Sequence, residues 1–223
     1  MRSQYVIVSD LHIGSGVSQS EKILHFLDNL NTDVLVLAGD IIDVDHTKRL
    51  NKRDWEIFSK LRKLSKKTRV ICLPGNHDAK ILGVIADLLG FEYTQEFEFL
   101  VGKRRILVTH GDRFDHFISK FWLITEIASG VYYYYLQRFS SKKQVIARSL
   151  KRHSKSFVKC VENVKKGAIN YAQVKGYDTI IVGHTHCKEY TYDGVYLNSG
   201  CWTEVECSYV EINRDGIVQL KVV

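Results

Sequence analysis

Five short blocks of this 223-residue chain carry side chains suited to binding divalent cations. They are Asp10-Leu11-His12, Gly39-Asp40, Gly75-Asn76-His77-Asp78, His110-Gly111-Asp112 and Gly183-His184-Thr185-His186. A hydrolytic centre with two cations about 3.5–4 Å apart needs a ligand shared between them and an open position on each. Asp10 and His12 are alternate residues leaving an extended segment, so both can turn toward one ion. Asp40 follows Gly39, which allows close backbone approach, and its two carboxylate oxygens can bridge two ions. Asn76 offers a neutral amide oxygen that limits negative charge, while His110, His184 and His186 add imidazoles. With no thiolate among the donors, Mn is the expected ion, with Fe or Zn as alternatives, rather than a structural zinc site. His77 stands beside Asn76, and Asp78 is placed to orient it, as carboxylates commonly do for histidines near metals. His77 is therefore the candidate general acid for a leaving oxygen, or a cation facing transition-state charge.

One such block would mean little. Gly-Asp is usually a turn, and a lone His at a strand end is usually an ordinary side chain. The joint pattern carries the chemistry, and His25, His46, His116 and His153 stand outside it.

Each block follows a run of β-branched or aliphatic residues. The donors therefore sit at the ends of buried strands, where loops carry chemistry on a rigid scaffold. Strands are expected at residues 5–9, 34–38 and 70–73, alternating with helices. Ser18-Gln19-Ser20-Glu21 reads as a capping box opening a helix to about residue 30. Further helices are expected at 54–64 and 81–89, and a hairpin over 96–109 turning at Gly102. The last part of the chain reads as short strands at 179–182, 188–192, 195–197, 205–212 and 218–223. Mixed βα units followed by hairpins imply an α/β fold with two packed mixed sheets flanked by helices. The length suits a single domain over 1–223 with an insertion.

That insertion spans about 113–175, between the fourth and fifth blocks. It is aromatic first, with Phe114, Phe117, Phe121, Trp122 and tyrosines at 132–135, and then basic. Phe157, Val161, Val164 and Ala168 recur at helical spacing, so a long helix should end at Gly176. It reads as a helical cap over the substrate. Arg49, Arg113, Arg148, Lys151 and Lys155 are candidate substrate contacts.

The net charge of +7 suits an anionic partner. Phosphorylated small molecules and lipid-linked nucleotides fit it, and nucleic acid is the weaker candidate because the insertion is so aromatic. Five cysteines without regular spacing argue against a disulfide framework. No signal segment precedes the first strand and no apolar run reaches the roughly 20 residues of a span. A cytoplasmic protein is expected, with peripheral membrane contact through the cap as an option.

The blocks resemble those of the calcineurin-like metallophosphoesterase superfamily, from Asp10 to Trp202. The resemblance implies an α/β/β/α sandwich with two metals at the strand ends. One metal would take Asp10, His12, Asp40 and His186, and the other Asp40, Asn76, His110 and His184. His77 would be the catalytic histidine with Asp78 its partner. Within the superfamily the chain is similar to the UDP-2,3-diacylglucosamine hydrolase group. That similarity rests on Gly39-Asp40-Ile41-Ile42-Asp43 with Lys48-Arg49, on His110-Gly111-Asp112-Arg113-Phe114-Asp115, on the insertion, and on Tyr196-Leu197-Asn198-Ser199-Gly200-Cys201-Trp202. Members of that group release UMP and a lipid sugar phosphate during lipid A synthesis. The best-known of them have Arg where this chain has His77. A nucleotide or nucleic-acid phosphodiesterase and a non-catalytic scaffold on the same fold are the competing readings.

Overall fold

The computed structural model describes residues 2–43, 50–115 and 155–223. The chain runs β1 (Ser3–Val8), α1 (Ser20–Asn29), β2 (Thr32–Ala38), α2 (Lys52–Leu64), β3 (Arg69–Leu73) and α3 (Leu82–Leu89). It continues with β4 (Glu92–Tyr93), β5 (Phe97–Val101), β6 (Arg104–Val108) and a 3-10 turn at Asp112–Phe114. Helix α4 (Lys155–Lys175), β7 (Thr179–Val182), β8 (Glu189–Tyr190), β9 (Tyr196–Asn198), β10 (Ser208–Ile212) and β11 (Val218–Val222) complete it.

The strands form a six-stranded sheet in the order β11-β10-β1-β2-β3-β4 and a five-stranded sheet in the order β5-β6-β7-β9-β8. At the centre of the first, β1, β2 and β3 run parallel; in the second, β6, β7 and β9 do. Parallel strands must be covered on both faces, and they read as continuous apolar runs for that reason. The two inner faces meet through Ile7, Val36 and Ile71 on one side and Val108, Ile181 and Leu197 on the other. Ile23, Ile57, Leu61 and Leu82 pack α1, α2 and α3 onto the outer face of the first sheet. Val164, Ala168 and Ala172 of α4 pack onto Leu107, Ile180 and Val182 of the second. The result is the expected α/β/β/α sandwich.

Four local expectations shift. The Ser18 hydroxyl donates to the Leu11 carbonyl at 2.8 Å instead of capping α1, whose first residue is Ser20. A capping box does occur, but on α2. Asn51 accepts from Arg53 and Asp54 N–H while Asp54 accepts from Asn51 N–H, so the helix starts at Lys52. The strand expected at 205–212 begins only at Ser208, and the two-residue β4 was not foreseen. Such short pairings are set by neighbouring strands more than by their own residues. Finally, Lys155–Lys175 was expected inside the cap; its buried face makes it the outer helical layer. Residues 116–154, with Trp122, the tyrosines at 132–135, Arg148 and Lys151, lie outside the described residues, as does Arg49. No helix among the described residues is long and apolar enough to cross a membrane.

Candidate metal centre

Because the central strands of each sheet run parallel, their carboxyl ends lie on one edge of the sandwich. Every block leaves from such an end: Asp10 and His12 after β1, Asp40 after β2, Asn76 after β3, His110 after β6, His184 and His186 after β7. The loops stay paired beyond the strands. His12 N–H donates to the Asp40 carbonyl at 3.0 Å, Gly183 N–H to the His110 carbonyl at 2.9 Å, and Trp202 N–H to the Asp10 carbonyl at 3.0 Å. These bonds stitch the loops of both sheets around one point.

Asp10, His12, Asp40, His184 and His186 all have positive φ, between 45° and 65°, and they are the only non-glycine residues among those described that do. Each such conformation costs on the order of 1–3 kcal/mol and persists only where surrounding structure enforces it. All five are residues the sequence singles out as metal donors. Gly39 serves the same geometry, since a Cβ there would lie 2.4 Å from the His110 ring.

Asp40 sits at the centre. Its Oδ2 is 3.3 Å from His110 Nε2, 3.7 Å from His12 Nε2 and 4.0 Å from His77 Nε2, and its Oδ1 accepts from His77 N–H at 2.9 Å. On one flank, Asp10 Oδ1 lies 3.1 Å from His186 Nε2 and 3.9 Å from His12 Nε2. On the other, Asn76 Oδ1 lies 3.1 Å from His184 Nδ1 and 3.4 Å from His110 Nε2. The donor atoms of Asp10, His12 and His186, and those of Asp10, Asp40 and His110, lie within 4.8 Å of one another.

Electrostatics sort these groups. Burial pushes His12 down to about 4, outweighing the nearby carboxylates. It is therefore a neutral imidazole, the form that ligates metals. Both its ring nitrogens are buried without a hydrogen-bond partner. Buried polar atoms left in that state cost about 1–3 kcal/mol each unless something satisfies them. A cation between His12, Asp10 and Asp40 would, so the residues fit a metal. Burial also acts to raise Asp40, but His110 beside it holds its carboxyl well below the usual range. Burial likewise opposes protonation of His186, yet Cys201 and Asp10 push it up to about 10.

Asp78 does not do what the sequence suggested. Its Oδ1 accepts from Gly75 N–H at 2.8 Å, and its Oδ2 from Ile41 N–H at 2.7 Å and Ile42 N–H at 3.4 Å. It clasps the backbone of the second and third blocks together. Burial and the neighbouring Asp40 push its carboxyl up to about 6. The carboxylate facing Nδ1 of the His77 ring is Asp43, with Oδ1 at 3.9 Å, while Asp40 faces Nε2. Neighbours in sequence diverge here because the turn after β3 points successive side chains to opposite sides.

Arg113 was expected at the substrate. It pairs with Glu96, donates to Thr109 Oγ1 at 3.1 Å and stacks 4.9 Å above the Tyr171 ring, so its guanidinium is engaged within the fold. Lys155 is the first residue of α4. Sequence reasoning gave no role to Asp43, Asp115 or Cys201, although all lie inside quoted motifs. Asp43 stands three residues after Asp40 and Asp115 five after His110. A polar residue at the close of a metal block is the signal that would have found them.

The fold recurs in known structures. An archaeal phosphodiesterase superposes with a TM-score of 0.50 at 14% identity, covering 98% of this chain and 99% of that one. Vacuolar protein sorting 29 from Cryptosporidium parvum gives 0.51 at 11% identity, covering 100% and 98%. At those identities the likeness concerns the fold alone. Comparison with curated proteins returns no significant match. The sequence itself matches calcineurin-like phosphoesterases over residues 4–188, which takes in all five metal blocks. By that match and by the donors assembled at its strand ends, the chain belongs to the calcineurin-like phosphoesterase family and is a metal-dependent hydrolase.

Proposed function

We propose that this chain is a two-metal phosphohydrolase that cleaves a diphosphate or phosphodiester, with a UDP-2,3-diacylglucosamine-like lipid nucleotide as substrate and Mn as its ion. The observation carrying the two-metal reading is the convergence of six further donors around Asp40, with His12 neutral and without a hydrogen-bond partner among them. Asp10, His12, Asp40 and His186 would hold one ion, and Asp40, Asn76, His110 and His184 the other. When bound, such a pair supplies charge neutralisation at the phosphoryl oxygens and lowers the pKa of attacking water. His77 carries its Nε2 toward the cluster and its Nδ1 toward Asp43. With its Nε2 aimed at the cluster, His77 is placed to deliver a proton to the leaving oxygen.

The lipid nucleotide is supported by the motifs at residues 39–43, 110–115 and 196–202 and by the aromatic-then-basic composition of the insertion. An aromatic cap suits acyl chains and would bring the protein to a membrane surface. His77, in place of the group's Arg, favours a second reading: a phosphodiesterase acting on a soluble nucleotide.

Purified protein should be assayed with Mn on UDP-2,3-diacylglucosamine, a nucleotide diester, an aryl diester and a monoester, each with a chelator control. Chelator-sensitive release of UMP from the lipid nucleotide is expected. Turnover confined to the nucleotide diester selects the second reading. Failure on every substrate at full metal loading would sink the enzymatic assignment.

A further inference from the structure

We infer that Asp115 is a positioning residue for the second ion, acting through His184; the assignment rests on the two-metal reading above. His184 is held at both ring nitrogens. Nδ1 faces Asn76 Oδ1 at 3.1 Å, on the side of His110 and Asp40. Nε2 lies on the opposite side of the ring, 3.2 Å from Asp115 Oδ2. An imidazole that ligates through Nδ1 carries its remaining proton on Nε2, and that proton needs an acceptor. Asp115 supplies it, which fixes both the tautomer and the ring plane.

Two further observations make this more than a chance contact. First, the carboxylate is itself fixed. Asp115 is only 3% exposed, and its Oδ2 also accepts from Cys160 Sγ on α4 at 3.0 Å. Its backbone N–H donates to the Asp112 carbonyl, closing the 3-10 turn. Phe114, next in the turn, packs against Val164 and Ala168 of α4, and its ring centroid lies 5.7 Å from that of Tyr171. An acceptor built into packed structure holds the histidine it bonds with little reorganisation. Second, the two ion positions differ in charge. Asp10 lies on the His12 and His186 side, while the side of Asn76, His110 and His184 has Asp40 as its carboxylate. Asp115 places a negative charge behind His184, making that imidazole a stronger donor to a dication and offsetting charge where the direct ligands do not.

The test uses the full chain stripped of metal and titrated with Mn alone, read by calorimetry and by electron paramagnetic resonance. Wild type should take up two ions and develop the signal of an exchange-coupled pair. Asp115→Asn keeps the side-chain shape and removes the charge. It should bind the first ion as wild type does and the second about 10–100-fold more weakly. The coupled signal should then appear only at correspondingly higher Mn, with KM unchanged once both sites are filled. Asp115→Glu should recover part of the affinity. Asp115→Asn with two wild-type affinities, or with both weakened alike, overturns the assignment, because a merely structural role would not single out one ion. Wild type that binds fewer than two ions overturns the two-metal reading first, and this assignment with it.

Discussion

Asp78→Asn separates a backbone clasp from a catalytic partner. In the folded protein the Asp78 carboxylate is fully buried and accepts from three backbone N–H groups, those of Gly75, Ile41 and Ile42. An Asn amide has one oxygen. Turned to keep the Ile41 and Ile42 bonds, it points its NH2 at Gly75 N–H, a donor against a donor. Leaving one buried donor unsatisfied costs about 1–3 kcal/mol. At about 2–4 °C per kcal/mol for a protein of this size, melting should fall by roughly 2–12 °C. Asp78→Ala removes all three acceptor contacts, so the loss should reach about 3–9 kcal/mol on the same per-group figure before any cavity is counted. Asp43→Asn is the companion, because Asp43 is the carboxylate facing Nδ1 of the His77 ring. It should lower turnover by a larger factor than Asp78→Asn at temperatures where both are folded. The measurements are thermal unfolding in chelator, circular dichroism for folding, and turnover on an aryl diester with saturating Mn. An Asp78→Asn variant that melts with wild type but turns over slowly would return Asp78 to the role of His77's partner and refute the clasp.

Other perturbations follow from the same geometry. His77→Ala should keep both ions yet lower turnover about 10²–10⁴-fold, read as metal content beside kcat. Gly183→Ala would set a Cβ 2.4 Å from Asp10 Oδ2 and 2.3 Å from Ser9 Oγ, so metal uptake should fail at concentrations that load wild type; normal stoichiometry would contradict the packing described. Arg113→Ala should lower thermal stability and leave KM near the wild-type value, because its guanidinium is engaged by Glu96, Thr109 and Tyr171. A selective rise in KM would restore it as a substrate contact.

The donor set and the layered architecture were legible in the sequence because both depend on local pattern. A parallel strand buried on two faces must be a continuous apolar run, and a loop that binds metal must place Asp, Asn or His just beyond it. Those two signals coincide at residues 10, 40, 76, 110 and 184. Helix starts were less legible. Ser18 and Asn51 both stand where capping is plausible, but the Leu11 carbonyl, seven residues upstream in the chain, captures the Ser18 hydroxyl. Competition of that kind is invisible to a short window of residues.

What the sequence determined by itself is which groups can bind cations, in what order they follow the strands, and that two sheets must close around them. The tertiary structure alone decided their partners. Adjacent His77 and Asp78 face different neighbours, Asp43 and the backbone of residues 41, 42 and 75, while Asp115 meets His184 across 69 positions of chain. The reason is physical: a residue's type sets what it can bond, but direction and burial come from the meeting of two sheets and a helix. No local pattern encodes the distances at which those layers settle.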